Sequence, residues 1–153
     1  MLNNLFQSIQ VHHSEEIFML QRRFEDDFGE NIWKTDELIR SFNDKILEGD
    51  VFIPQRTICG FCIFKIITDY IEIYSIFVKP SYRKKGVAKK FISNCVDYCK
   101  RNKLRKIILD VSEENLKAIN FYRKHEFIFC GRRKGYYKKN GSYKDSFTMH
   151  RLI

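Results

Sequence analysis

The chain has 153 residues, 44% of them hydrophobic, with 14 Phe, 8 Tyr and a formal net charge of +9. That length and apolar content fit one domain over residues 1–153 with one core, and exclude a fold that depends on disulfide staples. The N-terminus has no basic segment followed by an apolar run, and no apolar stretch approaches the roughly 18 residues a membrane helix needs. A cytoplasmic chain with reduced thiols and no membrane contact is expected.

Residues 5–11 read as a first strand. Ser14 is expected to cap a helix whose apolar stripe is Ile17, Phe18, Leu20, Gln21 and Phe24. Thr35 opens a second helix with Leu38, Ile39, Phe42 and Ile46 on one side. Residues 51–53 and 58–67 are strand-like and predict a hairpin. Tyr70–Val78 is rich in β-branched and aromatic residues and predicts a central strand. Pro80 and Gly86 bracket a basic loop. Residues 87–102 form a helix with Phe91, Ile92, Cys95, Val96 and Cys99 at 3–4 spacing. A buried strand over 106–111 and a helix over 115–124 follow. Two last strands, 127–137 and 146–152, flank a turn through Asn140-Gly141. The order β-α-α-β-β-β-α-β-α-β-β is α+β, with one strand–loop–helix unit near its middle.

Five cysteines make an odd count. Cys59 and Cys62 form a lone C-x-x-C on a predicted strand, where positions three apart point to opposite faces. No second Cys or His pair stands at zinc spacing. These two, with Cys95 and Cys99 one helical turn apart, are expected to be small buried hydrophobes, and no metal is expected. His12, His13, His125 and His150 read as surface or packing residues.

The charge is unevenly spread. Residues 1–78 carry 7 basic and 13 acidic side chains, residues 79–106 carry 11 and 1, and residues 132–151 carry 7 and 1. A localised positive block implies a polyanionic ligand, either nucleic acid or a phosphorylated cofactor. Its centre is Val78-Lys79-Pro80-Ser81-Tyr82-Arg83-Lys84-Lys85-Gly86-Val87-Ala88. There a strand ends, a basic turn follows, and a helix opens on small residues. Free amides and the helix dipole at such an end bind phosphate. Residues alone do not separate coenzyme A from a nucleotide, although the Walker A and dinucleotide fingerprints are both absent.

Arg83-x-x-Gly86-x-Ala88 resembles the Gln/Arg-x-x-Gly-x-Gly/Ala signature of the GNAT acetyltransferases, and it follows their apolar-Val-x-Pro strand end. A second stretch, Asn115-x-x-Ala118-x-x-x-Tyr122 and then Phe127, resembles their downstream motif. The resemblance covers residues 50–153 well and the first 50 weakly. Glu126 departs from the Gly that many members carry there. The resemblance implies the GNAT fold, a mixed central sheet of six to seven strands, splayed after the fourth, with about four flanking helices. It implies acetyl-coenzyme A as co-substrate. Ile76, Phe77 and Val78 would offer backbone groups to its pantetheine and acetyl portions. Arg83, Lys84, Lys85, Gly86, Val87, Ala88 and Lys89 would surround its pyrophosphate, and Asn115 would touch the pantetheine arm. Tyr122 would lie against the cofactor and act as general acid.

Within the superfamily, Leu109-Asp110-Val111 and the tail Arg133-Lys134-Gly135-Tyr136-Tyr137 with Asp145 and Met149 resemble the ribosomal-protein alanine N-acetyltransferases. The acceptor is then the N-terminal amine of a protein, with a small amine or a nucleotide-linked amino sugar as alternative. Asp110 stands at the glutamate base of that group. Glu72, fourteen residues before Gly86, resembles the position at which histone acetyltransferases carry their base; it is the rival base and ranks slightly lower. A regular strand would put Glu72, Tyr74 and Ile76 on one face. Tyr136 and Tyr137 are expected to wall the acceptor groove. Two readings of other classes are a nucleic-acid-binding module on the same basic block, which carries no nucleic-acid motif, and an acetyl-coenzyme A sensor without turnover. A monomer or homodimer is expected.

Overall fold

The computed structural model describes residues 2–28 and 31–153. Seven strands form one sheet in the order β1-β2-β3-β4-β5-β7-β6. They are β1 Phe6–Ser8, β2 Leu47–Phe52, β3 Gly60–Ile67, β4 Tyr70–Val78, β5 Lys106–Ser112, β6 Ile128–Lys139 and β7 Ser142–Leu152. Neighbours are antiparallel except β4 and β5, which are parallel. The helices are α1 Ser14–Arg23, α2 Glu25–Phe28, α3 Thr35–Asn43, α4 Val87–Arg101 and α5 Leu116–Lys124. This is the expected α+β class, with the mixed sheet at the upper end of the expected strand number.

Strand β3 explains how the layers are held. Its residues alternate between two cores, because side chains on a strand point to opposite faces. Cys62 and Phe64 join Ile71, Ile73, Phe91, Ile107, Leu109 and Ile119 under α4 and α5. Phe61 and Ile63 join Ile17, Leu20, Leu38 and Phe77 under α1 and α3. Burial on both faces is why this strand reads as an almost unbroken apolar run.

The observed elements differ from the expected ones for local reasons. The first strand is only Phe6–Ser8, because tight 3-10 turns at Leu2–Leu5 and Val11–His13 take its ends. That second turn runs directly into α1, so His13 occupies the cap position and Ser14 is inside the helix. Strand β2 begins at Leu47, four residues before the expected start. Gly49 and Asp50 are poor strand formers, but a Cβ at Gly49 would stand 1.9 Å from the Cys62 carbonyl oxygen. Glycine is therefore what permits β2 and β3 to approach. Cys59 precedes β3, so strand alternation does not reach it, and it packs into the same core as Cys62. Ile46 lies beyond the end of α3 and is 48% exposed, outside the stripe expected for it.

Two irregularities shape the site. The register between β3 and β4 shifts at Ile63/Phe64, leaving Tyr74 as an extra residue on β4. A bulge of this kind adds local twist and reverses the facing of the residues beyond it. Glu72 and Tyr74 share a face, but Ile76 pairs with Cys62 and joins the α4/α5 core. The regular-strand expectation for these three residues is corrected by that bulge. Further along, β4 and β5 part: their pairing covers only Tyr70↔Lys106 to Ile73↔Leu109. The remaining lengths of both strands border an open cleft.

Candidate active site

The basic loop ends on two left-handed residues, Lys84 at φ 59° and Gly86 at φ 84°. Among the described residues, nothing lies within 4 Å of a Cβ built on Gly86. Glycine is selected there by backbone angle, and the space beside it is open. Below it, Arg83 N–H donates to the Pro80 carbonyl at 3.2 Å, and the first helical bond runs from Lys90 N–H to the Gly86 carbonyl at 2.9 Å. Among the described residues, the amides from Lys84 through Lys89 have no acceptor. Free amides at the start of the fifteen-residue α4 make an anion cradle. The side chains of Lys84, Lys85 and Lys89 are exposed around it, whereas Val87 is buried and Ala88 half-buried, leaving those two only their amides to offer.

Arg83 faces elsewhere. Its Nε donates to the Val78 carbonyl at 2.8 Å, and its Nη2 pairs with the Asp27 carboxylate at 2.9 Å. The guanidinium therefore ties the loop to the end of β4 and to α2. That short helix was not expected. It is held by Phe28, whose ring lies 5.1 Å from Phe77 and 5.9 Å from Phe61.

Along the cleft, the side chains of Phe77 and Val78 are buried and Ile76 is half-buried. These residues reach a ligand through their main chain, on the edge that has no strand partner beyond Ile73. Asn115 caps α5, its Oδ1 accepting from Ala118 N–H at 3.1 Å. Tyr122, also on α5, packs against Phe121 and Phe127 with ring separations of 5.4 and 5.5 Å. Burial first, then the nearby Cys62, Tyr137 and Cys95, push its hydroxyl well above the ordinary tyrosine range. Tyr122 therefore keeps its proton at neutral pH and has one to give.

On the α1/α3 face of the sheet, Asp110 is fully engaged. Thr148 Oγ1 donates to its Oδ1 at 2.6 Å, and Arg133 Nη1 stands 3.3 Å from its Oδ2. Tyr137 donates its hydroxyl to the Asp110 main-chain carbonyl at 3.2 Å. Burial and the Asp110 charge push that hydroxyl upward as well. Ser146 lies on the same face, its hydroxyl buried without a partner among the described residues. Glu72 is half-buried, and among the described residues no cation stands within ion-pair distance. Tyr74 lies beside it, raised by burial and then by the Glu72 charge.

Tyr136 and Tyr137 pack edge to face at 5.0 Å, with the Arg133 guanidinium 5.2 Å over the Tyr136 ring. Across from them, Tyr74 meets Trp33 at 6.1 Å. The structure thus gathers Asp110, Tyr136 and Tyr137 on one wall, Glu72 on the strand beside them, and Tyr122 across the sheet. Trp33 and Thr148 escaped the sequence reading, as did the pairing of Asp27 with Arg83. A lone Trp in a loop and an ordinary strand Thr carry no motif. A separate cavity of about 560 Å³ lies between β2 and α4, lined by Glu48, Asp50, Asn94 and Arg101. Its lining includes none of residues 79–89.

Comparisons with known proteins bear on the family and the fold. The family profile described as Acetyltransferase (GNAT) family matches residues 11–127. A Bacillus subtilis chain carried under the provisional name ribosomal protein bS18-alanine N-acetyltransferase is 32% identical over 114 residues, covering 71% of this chain and 74% of that one. Solved structures share the fold. Escherichia coli ribosomal-protein-S18-alanine N-acetyltransferase superposes with a TM-score of 0.81 at 17% identity, over 97% of this chain and 92% of that one. Arabidopsis thaliana NAA60, in complex with a bisubstrate analogue, superposes at 0.85 and 22% identity, over 97% of each. The family match begins at residue 11, so it also takes in the N-terminal helices where the motif resemblance was weak. The chain belongs to the GNAT acetyltransferase family and is an acetyl-coenzyme A-dependent N-acetyltransferase.

Proposed function

We propose that the acceptor is the N-terminal α-amine of a protein, such as a ribosomal protein. The observation that carries this reading is the aromatic wall: Tyr136 and Tyr137 stand beside an open cleft, and Asp110 beneath them is already neutralised by Arg133. An extended peptide packs on aromatic faces along such a groove. A polyamine would need several unmatched acids, and of the two strand carboxylates on this face, Asp110 is already matched by Arg133. The relative named for bS18-alanine acetylation points the same way. The compartment we assign is the cytoplasm.

In this reading the amides from Lys84 to Lys89 hold the pyrophosphate, with Lys84, Lys85 and Lys89 adding charge. The open space at Gly86 fits that role. Arg83 holds the loop in shape, and Asn115 fixes the start of α5 beside the pantetheine arm. Ile76, Phe77 and Val78 offer main-chain groups along the open edge. Acetyl-coenzyme A supplies the activated acyl group. The incoming ammonium has no lone pair until a base removes its proton. Glu72 takes that proton, directly or through water, because both Asp110 oxygens are occupied. Asp110 keeps Arg133 and Tyr137 in place. Tyr122 gives its proton to the departing thiolate.

The test is a parallel assay of peptides beginning with Ala, Ser or Met, of spermidine, and of a nucleotide-linked amino sugar. Peptide turnover is expected. Turnover of the sugar alone overturns the protein acceptor, and donor binding with no turnover of any amine points to a sensor.

A further inference from the structure

The aromatic wall depends on an irregularity that needs its own support. In the β6–β7 ladder, Arg133 pairs with Ser146 and Tyr137 with Lys144, so Lys134, Gly135 and Tyr136 stand opposite Asp145 alone. Asp145 closes that bulge from the other strand. Its Oδ1 accepts from Gly135 N–H at 2.9 Å, and its Oδ2 accepts from Arg132 at 2.7 Å. The Gly135 amide, then Arg132, hold the carboxyl below the ordinary range. The same segment is fastened to the approach to α5. Glu113 N–H donates to the Asp145 carbonyl at 3.0 Å, Asp145 N–H donates to Glu113 Oε1 at 3.3 Å, and Arg132 reaches Glu113 Oε2 at 3.2 Å.

We propose that Asp145 is a positioning residue for the acceptor: by closing the β6 bulge from β7, it sets where Tyr136 and Tyr137 stand over the groove. The bulge carries Tyr136 itself, and Tyr137 is the first residue to rejoin the ladder. Gly135, at φ 58°, is where the chain turns, and its amide is the one Asp145 holds. Without that carboxylate, the Gly135 amide loses its acceptor and Arg132 loses the shorter of its two carboxylate contacts. Asp145 itself touches no reacting atom. The inference rests on the acceptor wall proposed above.

The test compares Asp145→Ala and Asp145→Asn in the full chain. Hydrogen exchange needs no acceptor: amides of residues 131–146 should exchange about tenfold faster in the Ala variant, with those of α4, Val87–Arg101, unchanged. The Asn variant should fall between, since its amide oxygen still accepts from Gly135. With an Ala-starting peptide, Asp145→Ala should raise KM about tenfold, while kcat and acetyl-coenzyme A affinity stay within about twofold. Adding it to Tyr136→Ala/Tyr137→Ala should change KM less than about twofold, because the residues it positions are gone. Unchanged exchange, a full additional effect in the tyrosine-free background, or a parallel loss of donor affinity each overturns the inference. A wild-type chain inactive on the peptide overturns the acceptor reading instead, and the exchange arm still decides whether Asp145 holds the bulge.

Discussion

The two sides of the cleft are built from different materials. In the reading proposed above, the donor side works through main chain: free amides at the start of α4 and the edge of β4 beyond Ile73. Its side chains are mostly either core or solvated lysine. The proposed acceptor side works through side chains: Tyr136, Tyr137, Arg133, Asp110 and Glu72, brought together from three strands. A main-chain site tolerates sequence change as long as backbone angles survive. A side-chain site changes character with each substitution.

Substitutions can break that contrast in turn. The largest effect is expected at Gly86. Gly86→Glu should remove measurable acetyl-coenzyme A binding, because an anion would occupy the cradle. Gly86→Ala meets no atom within 4 Å, so it should cost only about 1 kcal/mol of backbone strain and retain binding. Calorimetry on both variants separates charge from conformation, and unchanged affinity in the Glu variant would remove the cradle from the account.

Tyr122→Phe should lower kcat ~10²–10⁴-fold with donor affinity preserved, since the ring stays and only the proton donor goes. Because burial raises its hydroxyl, the wild-type rate should show no loss from Tyr122 ionisation through pH 10, its ordinary value. Activity within about threefold of wild type would make Tyr122 an anchor of α5 and nothing more.

The two carboxylates of the acceptor side should separate. Glu72→Gln should lower kcat about a hundredfold at unchanged melting temperature. Asp110→Asn should instead cost about 1 kcal/mol of stability, because it weakens the hold on Arg133 at a site where the carboxylate is only 8% exposed. Steady-state rates beside melting curves decide between them. A larger rate loss in Asp110→Asn would return the base to that residue.

The smallest effect concerns acid. His13 Nδ1 accepts the Gln10 amide at 2.9 Å, and burial, then His12, depress its pKa. A depressed histidine favours the neutral form when folded. Its contribution is therefore complete above the ordinary value of 6.5 and is lost as pH falls from there through the lower folded value. Melting temperature should drop between pH 7 and 5, and His13→Gln should flatten that slope. An equal slope in both proteins would show that His13 does not titrate with folding.

Much of this molecule was readable residue by residue. Helix α4 and the Asn140-Gly141 turn follow from dihedral preferences and hydrogen bonds within a few residues. The basic turn ahead of α4 was legible for that reason, as one contiguous stretch of chain, whereas the left-handed angle at Gly86 and the capping role of Asn115 were not read from the sequence. Tertiary structure alone decided the acceptor side. Glu72 and Ile76 are separated by a bulge that belongs to the β3–β4 pairing and leaves no local mark. Asp110 meets Arg133 and Thr148 only because β7 pairs with β5 and β6 with β7. Arg83 finds Asp27 across 56 residues of chain. Short-range sterics determine backbone angles, but which distant charge neutralises a carboxylate depends on strand register, and register is set by the packing of the whole sheet.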